Sequence, residues 1–181
     1  MNASLAITVA PNMPGVSLPG VARGVSRALR RLLDLLTGPM FAITTAMCTS
    51  FKVELMTATH NLSTGGHNIR MALFDSTVTL DATTTVYATA NEVVGTGYTA
   101  GGQVLTNVTP TSSGTTAFAD FADLVWTSST FVARGGLLFN NSAANRAIAA
   151  LDFGANISVT AGNLTVAFPT ANASAAVLRI G

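Results

Sequence analysis

From residue 68 onward the chain falls into short runs rich in Val, Ile, Thr and Phe, separated by clusters of Gly, Asn and Ser. Ile69–Phe74, Gln103–Thr109, Thr116–Trp126, Phe131–Phe139, Arg146–Phe153, Ile157–Thr160, Leu164–Phe168 and Ala176–Ile180 each read as a strand. Several such runs with turn signals between them favour a sandwich or barrel. No strand–helix alternation accompanies them, so a doubly wound parallel sheet is not expected. One helix precedes the strands, over about 45–58, where Met47, Phe51, Leu55 and Met56 recur at helical spacing. The expected fold is therefore mainly β: an antiparallel β-sandwich or jelly-roll-like body with one packed helix.

Charge narrows what such a body can do. Only 9% of the 181 residues are charged and the net charge is +1, against about 25% charged residues in an ordinary soluble domain. A disordered chain needs low hydrophobicity and high net charge, and here 49% of residues are apolar. A nucleic-acid binder needs many Lys and Arg contacts to phosphate, so no nucleic-acid partner is expected. Net charge near zero favours association, which points to a protein that lives in an assembly, with homo-oligomers expected. The single cysteine, Cys48, excludes an internal disulfide and a thiolate-rich metal cluster. No apolar run reaches the length of a membrane span, and no membrane partner is expected. Residues 1–20 lack the order of a secretory signal, so the seven Asn-x-Ser/Thr sequons carry no message about glycosylation.

The chain divides at Gly38-Pro39 into an arm, 1–39, and a body, 40–181. The arm holds Arg23, Arg27, Arg30 and Arg31 against Asp34, 4 − 1 = +3; the body holds five basic and seven acidic residues, 5 − 7 = −2. Pro11, Pro14 and Pro19 keep the first part of the arm extended. Residues 21–36 then pattern as an amphipathic helix: Val25, Ala28, Leu29, Leu32, Leu33, Leu35 and Leu36 fall on one face and the charged residues on the other. Gly38 and Pro39 end it. Such a helix either packs on its own body or docks on a partner; a membrane surface is disfavoured because the apolar face lacks Trp or Phe anchors. The docking candidates are Val25, Leu29, Leu32 and Leu36, with Arg27, Arg30 and Arg31 meeting acidic neighbours.

Catalytic chemistry is hard to assemble from the remaining residues. His60 and His67 are the only histidines, flank Gly65-Gly66, and read as loop or edge residues, too few for a zinc site. Cys48 reads as a small core hydrophobe without an activating base. Gly95–Gly102 lacks the following helix and the Lys-Ser/Thr pair of a phosphate loop and reads as a turn between β-elements. Asp120 and Asp123 sit three apart in one expected strand, on opposite faces, with Asp120 on a solvated edge, so they do not form a hydrolase pair. Asp152 reads as a turn cap at a strand end. No catalytic residue, cofactor or metal is expected.

FKVELMTATHNL (51–62), IRMALFDSTVTLDATTTVY (69–87), NEVVGTGYTAGGQVLTNV (91–108), VWTSSTFVARGGLLFN (125–140), AIAALDFG (147–154) and FPTA (168–171) together resemble a family of small virion structural proteins of tailed bacteriophages. The likeness covers most of 40–181 and lies in pattern and order, not in a catalytic motif; residues 1–39 fall outside it. It implies a non-enzymatic part of the particle whose partners are the major capsid protein or other virion subunits. A capsid decoration or cement subunit is the favoured expectation. A neck, tail or fibre-associated component is the alternative within the class. A carbohydrate- or receptor-binding module is the alternative outside it, and would display an exposed cluster drawn from Trp126, Tyr87 and Tyr98. A virion-associated hydrolase ranks last.

Overall fold

A computed structural model describes residues 41–181. The expected arm helix and all seven docking candidates (Val25, Arg27, Leu29, Arg30, Arg31, Leu32 and Leu36) lie outside the described residues. The body, Phe41–Gly181, is mainly β with one helix. In chain order its elements are β1 (Ala46–Met47), α1 (Thr49–Met56), β2 (Ile69–Phe74), β3 (Gln103–Val104), β4 (Asn107–Ser113), β5 (Thr116–Phe121), β6 (Leu124–Asn140), β7 (Arg146–Val166) and β8 (Leu178–Ile180). Two antiparallel sheets result, ordered β1-β7-β6-β2-β3 and β4-β5-β8. Eight strands in two sheets match the jelly-roll count, but they divide five and three.

Why the core sits where it does follows from the burial pattern. In β2 every residue except Arg70 is buried, as a strand paired on both sides and covered on both faces requires. Residues 135–140 of β6 are all buried beside it. Over 124–134 β6 instead alternates: Leu124, Trp126, Phe131 and Ala133 point inward, while Val125, Thr127, Thr130 and Val132 are exposed. The alternation skips one residue at Ser128, which takes φ 50°, and there the register with β7 shifts. Ala119 and Phe121 of β5 and Leu178 of β8 join the residues of the larger sheet in one hydrophobic cluster, so the two sheets share a core.

Three expected strands, Arg146–Phe153, Ile157–Thr160 and Leu164–Phe168, are one strand, β7. Their Gly and Asn separators are bulges rather than turns: the β6–β7 register jumps between Ala133↔Ile157 and Gly135↔Asp152, and again near Ser129↔Gly162, where Ala161 has φ 46°. Two other expected strands are each split. Ala122 and Asp123 carry the chain from the smaller sheet (β5) to the larger (β6), with Ala122 N–H on Thr106 O and Phe168 N–H on Asp123 Oδ1. Leu105 interrupts β3 and β4 by donating to Ile69 O.

The helix is shorter than its periodicity predicts. Ala46 and Met47 pair with Ala150 and Ala149 of β7 instead, and Cys48 N–H continues to Ile148 O. At the other end Ala58, at φ 54°, stops it. Phe51 is buried and Leu55 packs on the core, but Met56 is 81% exposed, so helical spacing alone does not put every apolar residue of this stretch on the core.

Candidate functional site

Two polar clusters and one apolar cleft are the features of the body that sequence patterning leaves unexplained. The first cluster joins the two histidines. Gly66 N–H bonds to Ser63 O and His67 N–H to Asn61 O, closing residues 61–67 into a tight loop. A Cβ on Gly66 would lie 2.5 Å from Asn61 O, so only glycine allows this closure. The loop sets His67 beside His60, and both Nδ1 atoms accept from the single amide nitrogen of Asn140, each at 2.9 Å. Asn140 is fully buried at the end of β6, and its Oδ1 accepts Ser142 N–H at 3.0 Å, which fixes the orientation of the amide. On its far side the His60 Nε2–H donates to Glu54 Oε2 at 2.7 Å, and Glu54 Oε1 accepts from Arg146 Nη1 at the start of β7.

His60 does lie in a loop, but its side chain is fully buried and its ring stacks obliquely on Phe51 at 4.8 Å. Sequence spacing shows the loop but not the burial, because Asn140 lies 80 positions from His60. Burial alone pushes the Glu54 carboxyl up; hydrogen bonds from His60 and Arg146, with the Arg146 charge, outweigh it and hold the group below the usual carboxylate range. Chemically the cluster ties α1, the 57–68 loop, β6 and β7 together. Both ring nitrogens of His60 are engaged, so the imidazole has no free nitrogen to offer a substrate.

The second cluster centres on Glu92, 7% exposed. Its carboxylate accepts Tyr87 Oη–H, Tyr98 Oη–H at 2.6 Å and Gly101 N–H at 2.7 Å. Tyr98 Oη in turn accepts Leu73 N–H of β2, and Arg70 clamps Gly101 O and Gly102 O. Burial and the hydrogen bond to Glu92 push the Tyr87 phenol up to about 12, and the same two causes push Tyr98 up as well. The Gly95–Gly102 segment is thus a turn pinned to β2, leading into strand β3 as its composition predicts. Trp126 is 1% exposed, and Tyr87 stacks on Phe139 at 4.3 Å. The exposed aromatic cluster expected of a sugar- or receptor-binding face is absent from these three residues.

An apolar cleft of about 440 Å³ opens between α1, the 57–68 loop and the smaller sheet. Met47, Phe51, Leu55, Phe118, Leu178 and Ile180 are among the apolar side chains that line it. Among the described residues no group of three or more His, Cys, Asp or Glu side chains could hold a metal ion.

The other residues weighed from sequence fall as follows. Cys48 is fully buried; burial, then the charges of Asp81 and Glu54, push its thiol up to about 11. Native Cys48 is expected to react with iodoacetamide near pH 8 at least about 100-fold more slowly than a free cysteine, and reaction at the rate of the unfolded chain would contradict the burial. Asp120 lies in β5 but Asp123 lies in the sheet-switching turn, so the two do not share a strand. Asp120 Oδ1 is buried without a partner among the described residues, which corrects its placement on a solvated edge. Asp152 does cap a turn, Oδ1 accepting Gly154 N–H at 3.0 Å, but inside β7 at a bulge rather than at a strand end; it also pairs with Arg134 at 3.1 Å.

Comparison of the chain with protein-family models, with curated proteins and with solved structures finds no match.

Proposed function

We propose that this chain is a non-enzymatic structural subunit of a bacteriophage virion, specifically a capsid decoration or cement protein. It docks on the major capsid protein or other neighbouring subunits through its N-terminal arm, and it forms homo-oligomers on the particle. The observation that carries the reading is the outer surface of β6 and β7. Val125, Thr127, Thr130 and Val132 of β6 and Ser158, Thr160 and Thr165 of β7 are all exposed. No charged residue occurs from Phe153 to Val177 or from Leu124 to Ala133. Depletion of charge is what distinguishes the centre of a subunit interface from ordinary surface. A β-face of this kind suits contact with another protein better than permanent exposure to water.

The family resemblance supports the same reading, and the arm supplies reach. A specific contact buries about 1,200–2,000 Å² in total, and an extended arm adds area that a small body cannot. Buried Trp126 argues against the sugar-binding alternative. A neck, tail or fibre position stays as the competing place on the particle. Quantitative mass spectrometry of purified particles separates the two. A decoration subunit is present in fixed proportion to the major capsid protein, whereas a copy number matching a single ring would move the protein to the neck or tail.

A further inference from the structure

We propose that the His60–Asn140–His67 cluster is an acid-released clasp on the wall of the apolar cleft. The argument rests on donor and acceptor counting and is independent of the virion reading. An amide NH₂ offers two hydrogens, and here one goes to each histidine Nδ1. Both imidazoles must therefore present an unprotonated Nδ1. For His60 the remaining proton sits on Nε2, facing the Glu54 carboxylate. His67 Nδ1 also faces Asn61 N–H, a second donor, at 3.5 Å. Adding a proton to either Nδ1 sets N–H against N–H. Turning the amide over would not relieve this without cost, because Asn140 Oδ1 would leave Ser142 N–H and the amide nitrogen would face that donor instead.

The charged groups facing the pair are Glu54 from α1 and Arg146 from β7; β6 contributes the neutral Asn140 and β4 the neutral Asn107, which donates to His67 O. Glu54 favours a proton on the Nε2 side of His60, where one already sits, so it does nothing to relieve the conflict at Nδ1. His67, only partly buried, is the more accessible of the two to solvent protons. The clasp holds the 57–68 loop, whose Ala58, His60, Asn61, Leu62 and Ser63 line one side of the cleft. Acid thus frees that wall and widens the cleft, while the rest of the body keeps its pairing. Because the Glu54 carboxyl is held below the usual carboxylate range, its own loss of charge falls at lower pH and is a separate event.

Hydrogen exchange of the full chain, corrected for intrinsic rates and followed from about pH 8 to pH 5, where histidine ordinarily changes charge, tests this. Protection of residues 57–68 is expected to fall at least about 10-fold while that of β2 and β6 stays level. Asn140→Asp turns the shared donor into an acceptor, so acid should tighten the loop in that variant instead of loosening it. His67→Gln, which keeps an acceptor and cannot charge, should lose most of the response, and it decides the matter if Asn140→Asp does not fold. Unchanged protection in the wild type, or an undiminished acid response in His67→Gln, would overturn the proposal.

Discussion

Glu92→Ala is expected to lower the unfolding free energy of the body by about 3 kcal/mol and its Tm by about 10 °C. The size of the effect comes from what is left behind. Two partly buried phenols and Gly101 N–H all donate to this one carboxylate, and all three lose a charged acceptor at once. Bonds to a charged acceptor contribute about 1.5–3 kcal/mol each, and an orphaned buried donor costs about 1–3 kcal/mol; partial relaxation keeps the sum below simple addition. Position matters as well as number. The turn that Glu92 anchors brings Gly102 so close to β2 that a Cβ there would lie 1.8 Å from Met71 O, at φ 61°. Losing the carboxylate frees the segment that places β3 on β2. Glu92→Gln keeps one acceptor oxygen and should cost about half as much. Urea unfolding with equal m-values for the three proteins checks this, and a loss below about 1 kcal/mol for Glu92→Ala would show that the cluster does not hold the sheet edge.

Replacing both Leu29 and Leu32 with Asp should abolish incorporation of the protein into particles and leave the unfolding midpoint of the body unchanged. Burying a leucine is worth about 1.5–3 kcal/mol, and an Asp in its place must be desolvated without a partner. Two such changes weaken docking by well over about 100-fold, since each 1.4 kcal/mol is a factor of ten. Under the proposed docking, Arg27, Arg30 and Arg31 would act differently. Charges at the rim of a contact act mainly on the association rate and make it salt-dependent, so charge reversal there should slow uptake at low ionic strength more than at high. Wild-type copy number of the double-Asp protein in purified virions would refute arm-mediated docking.

Runs rich in Val, Ile, Thr and Phe between clusters of Gly, Asn and Ser make the β-class and the central strands legible from sequence. Ile69–Phe74 comes out with both ends in place, because a strand buried on both faces is apolar at all but one position, Arg70, between turn residues. Where sequence reasoning errs, it misjudges what a glycine or asparagine does. Gly154 and Gly162 look like turn signals, but β6 beside them continues, and the chain answers with bulges instead of reversals. Helix periodicity likewise overreaches at Ala46–Met47, where pairing to β7 wins over local preference. The clasp is half legible: Gly65-Gly66 between two histidines announces a tight loop. Its third member, Asn140, is joined to it only by the pairing of β6 with β2, a long-range relation that no local pattern carries. Glu92 is hidden for the same reason, since its partners are two tyrosines whose placement depends on how the 87–101 segment folds back.

A cryo-electron microscopy reconstruction of the intact particle tests the central claim most directly. The account predicts the β-body repeated over the capsid surface, with the charge-free face of β6 and β7 against a neighbouring subunit and residues 25–36 in contact with one. Density for the body confined to the neck or tail would contradict the decoration role, and its absence from every part of the particle would contradict the virion assignment itself.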